Sequence, residues 1–186
     1  RLRKAHSIGH SGCWEYDLVG QPKSIWISKE GLEIFGLDVP SGDVPVDVIK
    51  GCVPDWGKAE KAFTDLMEKG NYYDVELIIK RPNDSPSRVI KSVAELERDA
   101  QGNPVRVVGL VKDITEKKRA EDALRRSESK LRAIFNEAPV GIVTVDEQGR
   151  PIEFNDQTVK LFGYPREELM KLRFSELIYA EDRSLG

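Results

Sequence analysis

Two histidines and two cysteines are the side chains in this sequence best suited to metal binding or nucleophilic chemistry. His6 and His10 are four residues apart and could share a metal ion if both lay on one helix. They flank Ser-Ile-Gly at residues 7–9, beside the start of a strand, so a solvated helix end is expected and no metal site. Cys13 and Cys52 are far apart and form no Cys-x-x-Cys motif, which argues against a disulfide or redox pair. Each cysteine is more typical of a small buried hydrophobic residue.

The side-chain sets that enzymes use are also missing from the sequence. It contains no glycine-rich phosphate loop, no Ser-His-Asp order and no clustered carboxylate pair, and its histidines offer no general base beside a nucleophile. The acidic residues are spread among lysines and arginines, as on a solvated surface. We therefore expect no catalytic residues and no enzyme activity in this chain.

The composition narrows the class of partner. The chain has 186 residues, of which 39% are hydrophobic and 33% charged, and its formal net charge is −3. This charge creates no positive field for nucleic acid, and no apolar run approaches the roughly 20 residues that span a bilayer. The first residues, Arg-Leu-Arg-Lys, lead into no signal-peptide core. With only two isolated cysteines, we expect a cytoplasmic protein with no nucleic-acid partner and no direct membrane contact.

The chain repeats part of itself. Residues 12–17 align with residues 141–146, and Leu-Arg at residues 2–3 aligns with Leu-Arg at residues 131–132. After a shorter turn in the second copy, further pairs align: Ser28 with Asn155, Leu32 with Val159, Ile34 with Leu161, Phe35 with Phe162 and Gly36 with Gly163. Such self-similarity predicts two copies of one structural unit, with only the first half of the second copy present.

Hydrophobic periodicity and turn residues predict the elements of the first copy. Alternation over residues 13–19 and 24–27 predicts a hairpin, after which Ser28 should cap a helix that Gly36 ends. The remaining elements are an amphipathic helix over residues 58–68, ended by Gly70, and strands over residues 72–80, 88–97 and 105–112. This order predicts an α+β domain in which short helices cover one face of a five-stranded antiparallel sheet.

A long charged helix is predicted over residues 115–137, because the proline at position 139 disfavours helical geometry in the residue before it. Its apolar face steps alternately by four and three residues, through Ala120, Leu124, Ser127, Leu131 and Ile134. That spacing is typical of a two-stranded coiled coil, although Ser127 interrupts the seam with a polar group. The pattern favours a homodimer through this helix, with an ordinary amphipathic helix lying on its own domain as the alternative.

Several motifs of the first copy resemble a PAS sensory domain with its C-terminal PAC segment. Residues 12–18 resemble the opening strand, residues 28–37 the second strand and first helix, and residues 73–76 the third strand. The most specific match is Gly-Asn-Pro-Val-x-Val-x-Gly-x-Val-x-Asp-Ile-Thr over residues 102–115. At residues 53–56, where the family often shows His-Pro-Asp-Asp, this sequence has Val-Pro-Asp-Trp and so lacks that histidine.

The second copy resembles the first half of another PAS domain, through Ala-Pro-Val-Gly-Ile at residues 138–142, Asn155, and Phe-Gly-Tyr at residues 162–164. The resemblance implies four segments: the end of a preceding linker helix (1–10), a complete PAS/PAC domain (11–114), a connecting helix (115–137) and the N-terminal half of a second PAS domain (138–186). Without its last three strands, the second unit is expected to lack cover for its apolar face or to be completed by another chain.

The resemblance implies a function in signal transduction. It suggests a sensory and relay module of a cytoplasmic protein, most often a sensor histidine kinase, whose output domain lies in the same parent chain. The module would form a homodimer through its linker helix and PAS surfaces. Two alternatives stay open: a ligand-free dimerisation or spacer module, and the sensory part of a diguanylate cyclase.

The sequence does not identify a cofactor. In PAS domains that bind haem, a histidine of the long helix is the iron ligand. The corresponding residues 58–68 contain no histidine, so the resemblance does not imply histidine-ligated haem here. Flavin domains of the light-sensing LOV type carry a reactive cysteine in Asn-Cys-Arg-Phe-Leu-Gln and a glutamine shortly before the final aspartate. Here the only cysteine nearby is Cys52, in Lys-Gly-Cys-Val, and Val111 occupies the place of the glutamine. A covalent flavin adduct is therefore not expected.

A small apolar ligand could bind between the sheet and its helices. Strand alternation directs Tyr73, Val75, Leu77, Ile79, Ile90, Ser92, Ala94, Val107, Gly109 and Val111 inward. The small side chains at Ser92, Ala94 and Gly109 should leave space there, bordered by Trp14, Trp26, Phe35 and Phe63. A fully packed core explains the same alternation, and both interpretations remain open.

Asp113 and Thr115 are the predicted signal junction. Their short side-chain oxygens can accept hydrogen bonds from free N–H groups in the first turn of the outgoing helix. Such bonds would couple the position of the last strand to the helix axis, although a purely structural cap would use the same residues.

Overall fold

The computed structural model describes residues 11–20, 24–39, 42–82 and 86–172. The chain divides into two compact units, Arg1–Ala120 and Glu121–Gly186. The strands are β1 (Ser11–Asp17), β2 (Ser24–Ile27), β3 (Asp43–Pro45), β4 (Tyr73–Ile79), β5 (Arg88–Arg98), β6 (Pro104–Asp113), β7 (Val143–Val145) and β8 (Pro151–Phe154). The helices are α1 (Lys29–Phe35), α2 (Val46–Cys52), α3 (Trp56–Lys69), α4 (Thr115–Glu137), α5 (Asp156–Phe162) and α6 (Arg166–Leu169).

The first unit is built on an antiparallel sheet with strand order β3-β2-β1-β6-β5-β4. The α+β fold with an antiparallel sheet expected from the sequence is confirmed, but the sheet has six strands in place of the predicted five. The additional strand, β3, is three residues long and pairs with β2 at the edge of the sheet. It ends in Pro45, which has no N–H to donate, and such residues are confined to sheet edges. A strand so short, with a proline in it, leaves no alternating pattern to detect.

The predicted helix ends are confirmed. The hydroxyl of Ser28 accepts a hydrogen bond from the N–H of Gly31 at the start of α1, which ends at Gly36 with φ of 70°. Helix α3 ends at Gly70 with φ of 66°. In that left-handed region glycine has no Cβ to clash with its own backbone, so both helices end where the glycines stand.

Helix α1 packs directly on β1 because two glycines meet there. A Cβ atom on Gly12 would lie 2.3 Å from the Cα atom of Gly31, so neither backbone could approach as closely with a side chain between them. The contact places α1 across the start of the sheet and orients Phe35 into the core, where it is buried.

The inner face of the sheet carries the residues that alternation predicted. Along β4, Tyr73, Val75, Leu77 and Ile79 are buried while the residues between them are exposed. The register aligns Val75 with Ser92 and Ser92 with Val111, so β4, β5 and β6 present one continuous apolar face. Together with α1, α2 and α3 this face forms the core of the unit.

The second unit contains a two-stranded hairpin, β7 and β8, followed by α5 and α6. Asn155 caps α5 as predicted and Gly163 ends it. The Asn155 side chain is fully buried; its oxygen accepts from the N–H groups of Ile142 and Thr158, and its amide donates to the carbonyl of Phe135 at 2.8 Å. Several large apolar side chains of this unit are exposed, including Ile152 of β8 at 58% and Leu161 of α5 at 69%.

Some predictions concern residues outside the described part of the chain. The preceding linker helix over residues 1–10, with His6 and His10, and the end of the second PAS unit from residue 173 onward belong to this group. Within the described ranges, no helix combines the length and the apolar character needed to cross a bilayer.

Candidate ligand cavity and signal junction

A cavity of about 210 Å³ lies between the inner face of the sheet and the helices of the first unit. Its walls are almost wholly apolar, and many of them are aromatic. The lining residues are Trp14, Tyr16, Ile25, Ile27, Phe35, Val46, Ile49, Val53, Trp56, Ala59, Glu60, Phe63, Tyr73, Leu77, Ile90, Ser92 and Val111. A largely apolar cavity with a few placed polar groups is the usual form of a small-molecule site.

The structure brings together many of the residues proposed from the sequence. Those that line the cavity are Trp14, Phe35, Phe63, Tyr73, Leu77, Ile90, Ser92 and Val111. Val75, Ala94 and Val107 are buried on the same face of the sheet but lie outside the cavity wall.

The placement of Trp26 in the cavity was wrong. In the sheet register Trp26 is opposite Glu15, whereas Trp14 is opposite Ile27. Because successive side chains of a strand point to opposite faces, Trp26 lies on the outer face and its neighbours Ile25 and Ile27 line the cavity. Trp26 borders a separate groove of about 350 Å³.

The placement of Gly109 in the cavity wall was also wrong. A Cβ atom on Gly109 would lie 2.3 Å from Cε2 of Trp14, so the Trp14 indole occupies the space that this glycine leaves. The gap predicted from the small residues of β5 and β6 is thus partly filled by an aromatic ring from β1, and Ala94 and Gly109 border the separate groove beside Trp26.

A small polar cluster stands in the cavity wall. The Trp14 indole N–H donates to the hydroxyl oxygen of Ser92 at 3.1 Å, and the Trp14 and Tyr73 rings meet edge to face with centroids 5.8 Å apart. Burial raises the pKa of Tyr73 to about 12, although a hydrogen bond with Ser92 lowers it. The Tyr73 hydroxyl therefore stays protonated at neutral pH.

Other lining residues were missed by the sequence reading. Tyr16 follows the same alternation as Trp14 and could have been found from it; its ring packs edge to face on Phe63, with centroids 5.7 Å apart. Val46, Ile49 and Val53 follow a helical spacing in and just after α2, a region where no helix had been placed. Glu60 in α3 is exposed and supplies the only charged side chain among the described lining residues.

Both cysteines are buried free thiols, as predicted. Burial raises the pKa of the Cys13 and Cys52 thiols, so neither is a reactive thiolate at neutral pH. Neither belongs to the cavity wall.

The end of β6 and the start of α4 form a compact hydrogen-bonded junction. One carboxylate oxygen of Asp113 accepts from the backbone N–H of Thr115 at 2.9 Å and from the Thr115 hydroxyl. Its other oxygen accepts from Arg88 at 2.7 Å. The Thr115 hydroxyl oxygen accepts from the backbone N–H of Val89 at 2.9 Å, and the N–H of Ile114 donates to the carbonyl of Val89 at 2.9 Å. The first turn of α4 is thereby fastened to both β5 and β6.

The two junction residues differ in what they bind. Asp113 accepts from the first N–H of the helix, as proposed, whereas the Thr115 hydroxyl reaches across to β5 and not to the helix itself. Partial burial by itself would raise the pKa of Asp113, but hydrogen bonds from Thr115 and the nearby Arg88 guanidinium hold it below its usual value. One turn further on, Lys118 pairs with Glu76 of β4 at 2.7 Å.

The proposed dimer seam of α4 faces solvent in the single chain. Leu124 is 62% exposed, Leu131 65% and Ile134 58%, and Ala120 is exposed as well. The helix therefore carries an apolar stripe that nothing in the described chain covers.

Comparison with known proteins identifies the family. Residues 19–116 match the PAS domain family, and residues 129–185 match the family described as the PAS fold. The chain belongs to the PAS family. The fold, these matches and the relatives described next identify it as a sensory module of signal transduction.

Three of the proteins that this chain resembles carry the names of signalling proteins. The chain is 29% identical over 130 residues to the sensor protein FixL of Bradyrhizobium diazoefficiens and 24% identical over 173 residues to the probable diguanylate cyclase DgcE of Escherichia coli K12. A sensory box histidine kinase/response regulator from Burkholderia thailandensis superposes with a TM-score of 0.57 and 27% identity, over 71% of this chain and 98% of that chain. The matches cover 70% and 91% of this chain but only 26% of FixL and 15% of DgcE.

Proposed function

We propose that this chain is the sensory and relay part of a cytoplasmic sensor histidine kinase. It comprises a complete PAS/PAC unit over residues 11–114, a connecting helix over residues 115–137 and part of a second PAS unit over residues 138–186. The likeness to FixL and to the Burkholderia kinase supports this parent, and the likeness to DgcE supports a diguanylate cyclase as the alternative. The output domain lies elsewhere in the parent chain, and this segment itself carries no catalysis.

The observation that carries the proposal is that the cavity and the junction share two strands. Val111 lines the cavity and Asp113 follows two residues later on β6; Ile90 lines it on β5, directly after Arg88 and Val89. A ligand that moves the cavity floor, which is formed by Ile90 and Ser92 of β5 and Val111 of β6, therefore moves the groups that hold the first turn of α4. The helix would pass this movement on as a rotation or a change of register.

The exposed stripe on α4 supports a homodimer through this helix. Burial of exposed leucine side chains by a second copy would stabilise the dimer by roughly 25 cal/mol per Å² of apolar surface. The same stripe favours the rival function, a ligand-free spacer that only holds dimers, because dimerisation needs no occupied cavity.

The lining residues favour a small, non-covalently bound ligand. The described cavity wall contains no cysteine that could form a flavin adduct and no histidine that could bind haem iron. Its apolar side chains suit a molecule held mainly by burial.

Native mass spectrometry and absorbance of the purified chain separate a sensor from a spacer. We expect a small molecule that co-purifies with the wild-type protein and is lost in Val111→Phe, whose ring fills the cavity. The control Val108→Phe, on the outer face of β6, should retain it. A bare polypeptide mass, a featureless spectrum and no stabilisation by a panel of metabolites would favour the spacer.

A further inference from the structure

The polar cluster in the cavity wall has one hydrogen-bond donor more than it uses. Trp14 contributes an indole N–H, and Ser92 and Tyr73 each contribute a hydroxyl hydrogen, which makes three donors. Two bonds join them: Trp14 to Ser92, and Ser92 with Tyr73. Whichever way the two hydroxyls are turned, one O–H hydrogen has no acceptor within the cluster.

The residues that carry the two hydroxyl groups are buried, so the unused donor indicates what kind of ligand the cavity can bind. Tyr73 is 7% and Ser92 5% exposed, and both residues line the cavity. A buried donor without a partner is costly, so the cavity is suited to an occupant that brings an acceptor atom to this point.

The charges around the cavity restrict the occupant further. No lysine, arginine or histidine is found among the described lining residues, and the single charged side chain there is the Glu60 carboxylate. An anion would lose its hydration on entry without a cation to pair with, and Glu60 would repel it. The cavity therefore disfavours carboxylates and phosphates.

The size of the cavity sets the size of the molecule. An apolar cavity of roughly 150 Å³ holds benzene. The cavity of this protein, at about 210 Å³, has room for a ring with a small substituent. Its aromatic walls, Trp14, Phe35, Trp56 and Phe63 among them, suit the faces and edges of such a ring.

We propose that the cavity binds an uncharged aromatic molecule of about the size of a monosubstituted benzene, whose single acceptor atom takes a hydrogen bond from the Ser92 and Tyr73 hydroxyls. The proposal rests on the sensory function and deepens it. In the sheet register Ser92 of β5 lies between Val75 of β4 and Val111 of β6. The acceptor atom would therefore bind on β5, one of the two strands that hold the first turn of α4.

Three probes of nearly equal shape test the proposal: acetophenone, α-methylstyrene and benzoate. They share a phenyl ring and a three-atom branched substituent but present a neutral acceptor, no acceptor and an anion. Titrations of the whole chain, followed by the indole N–H resonance of Trp14, should show acetophenone binding about fivefold more tightly than α-methylstyrene, the effect of one net hydrogen bond. Benzoate should bind most weakly.

The variants assign the preference to the hydroxyl pair. In Tyr73→Phe combined with Ser92→Ala, acetophenone should lose its advantage while α-methylstyrene keeps its affinity, which also shows that the cavity is intact. The neighbouring Tyr72→Phe, at a residue 90% exposed, should change none of the affinities. An advantage that persists in the double variant would overturn the assignment.

A measurement on the wild-type protein covers the case in which the double variant does not fold. The carbonyl resonance of bound ¹³C-labelled acetophenone should lie downfield of its position in an apolar solvent such as cyclohexane, because a donated hydrogen bond polarises the carbonyl. A bound resonance at the position found in cyclohexane, equal affinities for acetophenone and α-methylstyrene, or no binding of any probe up to its solubility limit would overturn the proposed ligand class. If a different small molecule still co-purifies, only the ligand class fails; if none does, the sensory function fails as well.

Discussion

Gly109 determines where the Trp14 ring lies, and through it the shape of the cavity. Only a residue without a Cβ atom leaves room for the indole against β6, since Cε2 of Trp14 would be 2.3 Å from that atom. The indole is also held by its hydrogen bond to Ser92. A glycine in a central strand, normally a weakness, here marks the close approach of a neighbouring ring.

Gly109→Ala should displace the Trp14 indole and cost about 1–3 kcal/mol of unfolding free energy, the usual penalty of overpacking a core. Urea denaturation measures the loss, and tryptophan fluorescence reports the changed surroundings of the ring. Gly57→Ala is the control, because an added Cβ meets nothing within 4 Å there and alanine favours the helix. Unchanged stability and fluorescence in Gly109→Ala would contradict the described packing.

Asp113 should make the stability of the first unit depend on pH. Its pKa is lower in the folded chain than in the unfolded one, so its contribution is present above the unfolded value of about 4 and is lost as the pH falls through the folded value. Asp113→Asn should therefore cost about 1–2 kcal/mol at neutral pH, as expected for hydrogen bonds to a charged group, and progressively less below about pH 4.

Urea denaturation of both proteins between neutral and strongly acidic pH measures this difference. The exposed Asp38 provides the control, since Asp38→Asn leaves the junction untouched. A stability difference between wild type and Asp113→Asn that stays constant over the whole pH range would show that the junction carboxylate is not the group responsible.

Which residues face the cavity was predictable only in part. Alternation placed Tyr73, Leu77, Ile90, Ser92 and Val111 correctly, because the alternation of apolar and polar residues within one strand shows which of its side chains face the core. Alternation in a four-residue strand is too brief to choose a face, and the bulk of Trp26 was misleading. That the Trp14 ring would fill the space over Gly109 depends on a contact between strands, which no local pattern contains.

At the scale of elements, α4 is the helix through which we propose that the signal passes. Its bounds, Thr115–Glu137, agree with the helix predicted over residues 115–137, because Asp-Ile-Thr at its start and Pro139 beyond its end are strong local signals. Helix α2 and strand β3 were missed, since both are short and the prolines, glycines and aspartates of residues 38–51 interrupt any sustained helical or alternating pattern. That the apolar stripe of α4 is a dimer seam stays a prediction.

Leu124→Asp combined with Leu131→Asp should abolish a homodimer formed through α4, because each substitution buries a carboxylate against its symmetry mate. Light scattering at several concentrations measures the mass. Ser129→Asp combined with Ala133→Asp adds the same charge at positions outside the seam and should leave the dimer intact. A dimer of unchanged mass in the leucine variant would rule out the seam.

At the scale of the whole molecule, the described parts of the two units differ in the size of their sheets. The first has a six-stranded sheet and a cavity, whereas the described part of the second has a two-stranded hairpin in which Val145 and Ile152 are exposed and Phe154 is buried. The repeat was visible in the sequence because both copies place a capping residue and a glycine at the two ends of the same short helix, Ser28 and Gly36 in one, Asn155 and Gly163 in the other.

The central claim is that the cavity floor controls the junction with α4. Amide hydrogen exchange at Val89, Ile114 and Thr115, the three N–H groups bonded within the junction, tests it most directly in Val111→Ala, compared with the outer-face control Val108→Ala. The amides of Val75 and Leu77 in β4 report any general loss of stability. In Val111→Ala, we predict that exchange at the three junction amides speeds up by a larger factor than exchange at Val75 and Leu77. In Val108→Ala, exchange at the junction should not speed up by more than exchange in β4. Junction exchange that merely follows β4 in both variants would contradict the account.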